Sequence, residues 1–188
     1  MAEYYLISQL PSLDGISENT PLPVTEERFT ELCNRLLGKK ALKELDKVTL
    51  MPPKTHEKSG SALIDAWNEG ERSLRFALGK LRAEKMNKQF ETDNRSVPVS
   101  VLQAARNAVE AESPMEAEKI LNRFRLDFLE SLRPTDSFSE EYVFYYYLKL
   151  KLILRIRQFD AESGRFALAF LAEVGFHRLG LLRGRRRD

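Results

Sequence analysis

The stretch from Tyr142 to Ile156 constrains the fold most, because it is the most apolar run in the chain. Read as a helix, it carries apolar side chains around most of its circumference and leaves only a narrow charged strip. The predicted helix extends from Glu141 to about Phe159, and its apolar positions are Tyr145, Leu148, Leu152, Ile156 and Phe159, widened by Tyr146, Leu150, Ile153 and Leu154. Such a helix has to be covered on most sides by other elements, so the run predicts the centre of a helical fold. Because Lys149, Lys151 and Arg155 interrupt it, it falls far short of the roughly 20 apolar residues that a membrane-spanning helix needs.

The remaining sequence supplies helices that can cover this centre. Glycine is scarce and Leu, Ala, Glu, Lys and Arg dominate, which favours helix along most of the chain. Thr25 before two glutamates and Ser113 before Pro114 are both typical helix starts. Ser137, with Glu140 three residues later, has the spacing of a capping box and predicts the start of the central helix.

A long helix is predicted from about residue 61 to about residue 90, with Gly70 and Gly79 weakening it locally. Its inward stripe is Leu63, Trp67, Leu74, Leu78 and Leu81. The opening 4–10 is compatible with a buried strand or with the first turns of a helix, and we favour a helix. The sequence therefore predicts an all-α fold, an irregular multi-helix bundle with long helices.

The expected organisation is one helical domain over residues 1–188, because a chain of this length can bury one good core. Residues 51–60 contain Pro52-Pro53 and polar side chains, so they are the candidate boundary if the domain is divided into two lobes. Residues 178–188 form a basic tail that we expect to be disordered. The tail contributes +4 to the net charge of +2, so the rest of the chain lacks a general basic surface for nucleic acid.

The sequence shows no arrangement typical of a catalytic or cofactor site. No glycine-rich phosphate-binding loop occurs, no carboxylate stands alone in an apolar stretch, and His56 and His177 are too far apart in sequence for a zinc helix. Cys33 lies on the apolar face of a predicted helix, with no histidine near it in sequence to activate it. We therefore expect no enzyme activity, no cofactor, no metal and no small-molecule substrate. The lone cysteine and the lack of a signal-like opening favour a cytoplasmic protein.

Tyr147, Lys151 and Arg155 form a ladder at helical spacing on the central helix. An exposed basic strip of this kind suits an acidic surface on another protein, which makes these three residues the candidate partner-binding site. The alternative is that the long basic side chains lie along the core and only their charged ends reach water. The run Tyr145-Tyr146-Tyr147 could also stack on nucleic-acid bases, but aromatic residues at helical spacing more often belong to a core.

Three segments of the chain resemble known proteins of two kinds. Residues 141–156, with a Tyr-Leu pair, a basic residue and an Arg-hydrophobic pair, resemble a helix in the C subunit of V-type and archaeal-type ATPases, which seats the central stalk on the membrane rotor ring. The opening Tyr4-Tyr5-Leu6-Ile7-Ser8-Gln9-Leu10-Pro11-Ser12-Leu13 and the segment 21–29 are similar to an uncharacterised bacterial family encoded among V-type ATPase subunit genes. The similarity to the uncharacterised family extends over most of the chain. The C subunit, which we call the stalk-seating protein, is considerably longer than this chain and has three similar helical modules.

These resemblances imply a non-catalytic helical subunit or assembly factor of a bacterial V-type (rotary) ATPase. Its partners would be the stalk subunits and the rotor ring, and it would couple the central stalk to the membrane rotor as the stalk-seating protein does. It would meet the inner face of the cytoplasmic membrane only through that complex. The alternative is a free-standing helical RNA-binding or regulatory adaptor, in which nucleic acid would bind through the arginine tail.

Overall fold

The computed structural model describes residues 2–16, 20–55, 57–90 and 96–158. Within these ranges the chain forms seven helices and no strand, which confirms the predicted all-α class. The helices are α1 (Ala2–Ile7), α2 (Glu26–Leu36), α3 (Lys39–Leu45), α4 (Ala62–Lys85), α5 (Val99–Glu110) and α6 (Pro114–Ser131), followed by α7 over residues 140–158.

The chain separates into two compact units, Met1–Ile153 and Leu154–Asp188. Of the second unit, only residues 154–158 are described, and they are helical. The segment 51–60 lies inside the first unit, and its role as a boundary between lobes stays a prediction. The basic tail lies outside the described residues.

Side-chain caps define where the helices begin. The Thr25 hydroxyl accepts a hydrogen bond from the Arg28 amide at 3.2 Å, and the Ser113 hydroxyl accepts one from the Glu116 amide at 3.1 Å. Both starts were predicted from sequence, because an N-cap side chain satisfies one of the first free amides of a helix. At α7 the cap is Ser139, whose hydroxyl accepts from the amide of Tyr142 at 3.2 Å. The predicted cap at Ser137 is therefore wrong by two residues.

The long helix α4 ends at Lys85, five residues before the predicted end near Phe90. Asn87 has a positive φ of 52°, and the amide of Lys88 donates to the Ala83 carbonyl at 2.9 Å. A left-handed residue after the last turn, with a bond closing back over it, is a common way for a helix to stop. Asparagine tolerates this conformation better than most residues, which explains why the helix ends there.

The two glycines of α4 admit aromatic rings to the helix surface. A Cβ at Gly70 would lie 2.3 Å from Cε1 of Phe128 in α6, and a Cβ at Gly79 would lie 2.8 Å from Cε2 of Phe90. Since real Cβ atoms do not approach other atoms this closely, each ring occupies space that only glycine leaves open. Glycine lowers the stability of the helix at these two positions, but it allows the aromatic rings of neighbouring segments to pack directly on the helix backbone.

Helix α5 packs against both α4 and α6, and α1 packs against α2. A core cluster of buried apolar residues lies among α4, α5 and α6, formed by Leu74, Ala77, Leu78, Val101, Ala105, Ala108 and Leu121. The many alanines on α5 allow its backbone to approach its neighbours closely. Apolar burial in this cluster is the main source of stability that holds these three helices together.

A buried ion pair connects α4 to α6. Nε of Arg125 donates to Oε1 of Glu71 at 2.6 Å, and the two side chains are only 7% and 2% exposed. Asn122 accepts a further hydrogen bond from Arg125 at 3.3 Å, while Arg75 donates to the second oxygen of Glu71 at 3.4 Å. Glu71 was not recognised from the sequence, where no carboxylate stands alone in an apolar stretch.

The part of α7 that lies in the first unit is buried as the apolar pattern predicted, while Phe159, on the predicted apolar face, lies outside the described residues. Its fully buried side chains are Val143, Phe144, Tyr145, Tyr146, Leu148, Leu150 and Leu152. At its beginning, the Glu141 carboxylate accepts from the hydroxyl of Ser61 at 2.7 Å and from the amide of Leu63 at 3.2 Å. The first turn of α7 thereby binds the first turn of α4, where free amides and the helix dipole favour a negative charge.

Candidate partner-binding site

Tyr147 and Lys151 meet the same carboxylate, that of Glu26 in the first turn of α2. The Tyr147 hydroxyl donates to Oε1 of Glu26 at 2.8 Å, and Nζ of Lys151 donates to the same oxygen at 2.9 Å. Nζ of Lys151 also lies 4.4 Å from the centre of the Tyr147 ring, within the range of a cation–π contact. The two residues therefore form one compact site with Glu26, one helical turn apart on α7.

The charges of this site stabilise one another. The hydrogen bond from Lys151 lowers the pKa of Glu26 against the opposing effect of burial, and the Tyr147 hydroxyl adds to the lowering. Burial alone would lower the pKa of Lys151, but its bonds to Glu26 and Tyr147 outweigh burial and raise it. Glu26 and Lys151 are therefore both ionised at neutral pH. Their side chains remain 40% and 25% exposed, so the pair is accessible from the surface.

Arg155, the third residue of the predicted ladder, is partly buried. It belongs to the second compact unit, beyond Ile153, whereas Tyr147 and Lys151 belong to the first. The structure thus brings two of the three predicted residues together around Glu26. Partner binding by all three residues stays a prediction.

A second charged cluster forms around Lys149, which was not among the predicted site residues. Its ammonium group donates to the Asp14 carboxylate, and it also contacts Oε2 of Glu130 at 3.3 Å and the Tyr145 hydroxyl at 3.2 Å. Arg133 adds an ion pair with Glu130 at 3.0 Å. A cleft of about 250 Å³ opens beside this cluster and is lined by Asp14, Glu130 and Lys149 among apolar side chains.

The Tyr145 hydroxyl donates to Glu130 at 2.5 Å, and this bond is the largest influence on the carboxyl group. It lowers the pKa of Glu130 to about 2, with further lowering from Arg133 and Lys149. Burial and the same bond raise the pKa of Tyr145 to about 12. A tyrosine that holds its proton this firmly and a fully ionised carboxylate are suited to fixing structure, not to exchanging protons near neutral pH.

Three consecutive tyrosines of α7 bind three different parts of the chain. Tyr145 binds Glu130 of α6, Tyr146 donates to the Pro11 carbonyl at 2.8 Å, and Tyr147 binds Glu26 of α2. Phe29 stacks on Tyr146 and Tyr147, with ring centres 5.6 and 4.8 Å apart. These tyrosines are therefore used inside the fold, as expected for aromatic residues at helical spacing, and do not form an open platform for nucleic-acid bases.

Cys33 is fully buried in α2, as its position on the apolar face predicted. Burial raises the pKa of its thiol to about 12, so the reactive thiolate is suppressed. In the part of the chain that the structure describes, no group of three or more His, Cys, Asp or Glu side chains is arranged to hold a metal ion. His56 and His177 lie outside that part.

The helical spacing on α7 indicated Tyr147 and Lys151 but not their common partner. Glu26 was recognised only as an acidic residue in the first turn of a helix, and it lies 121 residues from Tyr147 and 125 from Lys151. The same holds for Asp14, which is 135 residues from Lys149. No local spacing indicates such pairings, because they arise from the way distant helices pack.

No helix within the described ranges is both long enough and apolar enough to cross a membrane. No protein-family model, no curated protein and no solved structure matches this chain.

Proposed function

We propose that this chain is a non-catalytic helical subunit or assembly factor of a bacterial V-type ATPase, with a role like that of the stalk-seating protein. In this role it docks between the stalk and the rotor ring, on the cytoplasmic side of the membrane. It reaches the membrane only through the complex and needs neither a cofactor nor a small-molecule substrate.

One observation carries the proposal: the separate segments that resemble ATPase-associated sequences contact one another in the fold. The opening, which resembles the uncharacterised family, includes Pro11. The Pro11 carbonyl accepts a hydrogen bond from the hydroxyl of Tyr146, in the helix that resembles the C subunit. Segment 21–29, which resembles the same family as the opening, contributes two contacts to this helix. Glu26 binds Tyr147 and Lys151, and the Phe29 ring stacks on the Tyr147 ring. The residues that make these contacts therefore form one packed region within the first unit.

The proposed partner contact uses Tyr147, Lys151 and Arg155. Because Glu26 already binds Lys151, an acidic partner surface would share or replace that carboxylate. Because the pair is partly exposed, exchanging its carboxylate for that of a partner would cost less than breaking a buried pair. The partner would be selected mainly by charge, which also speeds association between complementary surfaces.

The first test is purification of the chain from its native host through an N-terminal tag, followed by mass spectrometry of the retained proteins. The proposal expects V-type catalytic and stalk subunits in stoichiometric amounts. Their absence, with RNA or unrelated proteins retained in their place, would refute it and favour the RNA-binding or regulatory adaptor.

A second test asks whether the ladder makes the contact. Exchanging the pair, with Lys151→Glu and Glu26→Lys in one chain, keeps an internal ion pair while reversing the charge on α7. The exchange should reduce recovery of ATPase subunits, whereas the control Lys119→Glu, at an exposed position on α6, should not. If both variants recover equal amounts of ATPase subunits and unfold at the same temperature as the native chain, Lys151 does not take part in the contact.

A further inference from the structure

Three aromatic side chains form a patch on the surface of the first unit. Tyr4, Tyr5 and Phe138 are 54%, 60% and 49% exposed, although aromatic residues of this size are usually buried. The ring centres of Tyr4 and Phe138 lie 4.8 Å apart, and those of Tyr4 and Tyr5 lie 6.0 Å apart. Helix α1 and the turn before α7 thus bring their exposed rings together, and we call these three residues the aromatic patch.

The size of the aromatic patch indicates what kind of contact it can make. Three rings that are each about half exposed present on the order of 300 Å² of surface, within the range of patches that often have a function. A stable dimer buries about 800 Å² on each partner, so the patch is too small to hold two copies of this chain together by itself. Exposed tyrosines at such a density are typical of an anchor within a larger interface.

The charged residues within two positions of the three aromatic residues are all acidic. Glu3 precedes Tyr4, and Asp136 and Glu140 lie two residues on either side of Phe138. Asp136 is exposed, and Glu3 and Glu140 are at least partly exposed. One positive charge is held just after α1, where the guanidinium of Arg35 donates a hydrogen bond to the Gln9 side chain at 3.0 Å. Anionic partners such as RNA or acidic lipid are therefore disfavoured at this surface.

We propose that the aromatic patch docks a basic segment of a partner protein, one that carries arginine among aliphatic side chains. The guanidinium group stacks on the tyrosine rings and pairs with the neighbouring carboxylates, while the aliphatic side chains cover Phe138. The patch shares no residue with the ladder of Tyr147, Lys151 and Arg155, which would select an acidic partner. The inference does not depend on which complex the chain joins.

Binding can be measured with the full-length protein and three fluorescein-labelled amphipathic peptides that differ only in their charged residue. One carries leucine and arginine on a single face, and the others replace arginine with glutamine or glutamate. Fluorescence anisotropy should give an affinity for the arginine peptide at least about tenfold above that for the other two. Equal binding of the glutamate peptide would overturn the proposal.

Variants locate the binding surface. The double substitution Tyr4→Ser, Tyr5→Ser should lower the affinity for the arginine peptide by about tenfold or more, as expected for loss of interface anchors. The matched control removes two exposed apolar side chains elsewhere, with Met86→Ser and Val99→Ser, which are 57% and 83% exposed in the native chain. Unchanged affinity in the tyrosine variant, or an equal loss in the control, would overturn the assignment.

Nitration by tetranitromethane, mapped by mass spectrometry, tests the same surface without mutation. Tyr4 and Tyr5 should react in the free protein and be protected by the arginine peptide, whereas the buried Tyr145 and Tyr146 serve as internal controls that do not react. Lack of reaction at Tyr4 and Tyr5 in the free protein would mean that the patch is already covered, and it would overturn the proposal.

The other occupants give different results. A concentration-dependent dimer that is lost on Tyr5→Ser would identify a second copy of the chain instead. Binding to phosphatidylserine vesicles that is lost in the same variant would identify a membrane. Either result would overturn the proposal for the aromatic patch. Because these probes contain no ATPase subunit, the results do not depend on whether ATPase subunits are recovered with the chain.

Discussion

Replacing Glu71 with alanine should strongly destabilise the protein, because it leaves the Arg125 guanidinium buried beside a cavity. Arg125 is only 7% exposed, and its closest bond, at 2.6 Å, is to Glu71. The carboxylate of Glu118 lies 3.7 Å away and compensates only in part. Removing one member of a buried ion pair costs about 3–5 kcal/mol. For a chain of this size, that loss corresponds to a fall of roughly 6–20 °C in the unfolding midpoint.

The assay is urea unfolding followed by circular dichroism, with Arg123→Ala as the matched control. Arg123 and Asp127 form an exposed ion pair on the same helix, with side chains 83% and 71% exposed, so this change should cost less than about 0.5 kcal/mol. The double variant Glu71→Leu, Arg125→Met should recover most of the lost stability, since an apolar pair of similar size avoids the desolvation penalty. A loss below about 1 kcal/mol for Glu71→Ala, or a double variant that is no more stable than it, would refute the reasoning.

Three further outcomes follow from features of single residues. Gly70→Ala should destabilise by about 1–2 kcal/mol in urea unfolding despite the better helix propensity of alanine, because the Phe128 ring occupies the space of the new methyl group. The control is Gly38→Ala, which has nothing within 4 Å of the added Cβ and should cost less than about 1 kcal/mol, the part due to the poorer capping of α3 by alanine. The pKa of Glu130 is lowered from 4.5 to about 2, so the stability it contributes is present above pH 4.5 and is lost as the pH falls towards 2; thermal unfolding across this range should show a smaller loss for Glu130→Gln than for the native chain, and parallel curves would contradict the assignment. The Cys33 thiol, with a pKa of about 12, should react with a disulfide reagent at pH 8 only after denaturation, and rapid modification of the native protein would contradict its burial.

The features that sequence could predict are those with a local cause. Thr25 and Ser113 were recognised as caps because a hydroxyl followed by helix-forming residues satisfies a free amide within one turn. The buried face of α7 was predicted because its period is visible in the sequence. The cap of α7 was misplaced because Ser137 and Ser139 are both suitable caps, and only the turn around Asp136 decides between them.

The features that sequence could not predict depend on contacts between distant segments. Glu71 could not be recognised as a buried carboxylate, because the arginine that neutralises it is 54 residues away. The close approach of Phe128 to Gly70 was likewise invisible, so that glycine was read only as a weak point of α4. At the candidate site, the spacing of Tyr147 and Lys151 was evident, but the carboxylate that joins them was not.

The tyrosines at 145, 146 and 147 have a consequence for how the sequence can change. Successive residues of a helix point about 100° apart, so their three hydroxyls radiate through about 200° around α7. Substitution of one tyrosine by phenylalanine removes one bond and leaves the other two to hold the orientation. Insertion or deletion of a single residue earlier in the helix would instead turn all three hydroxyls away from Glu130, Pro11 and Glu26 at once. This part of the chain should therefore tolerate exchange of residues far better than any change in length.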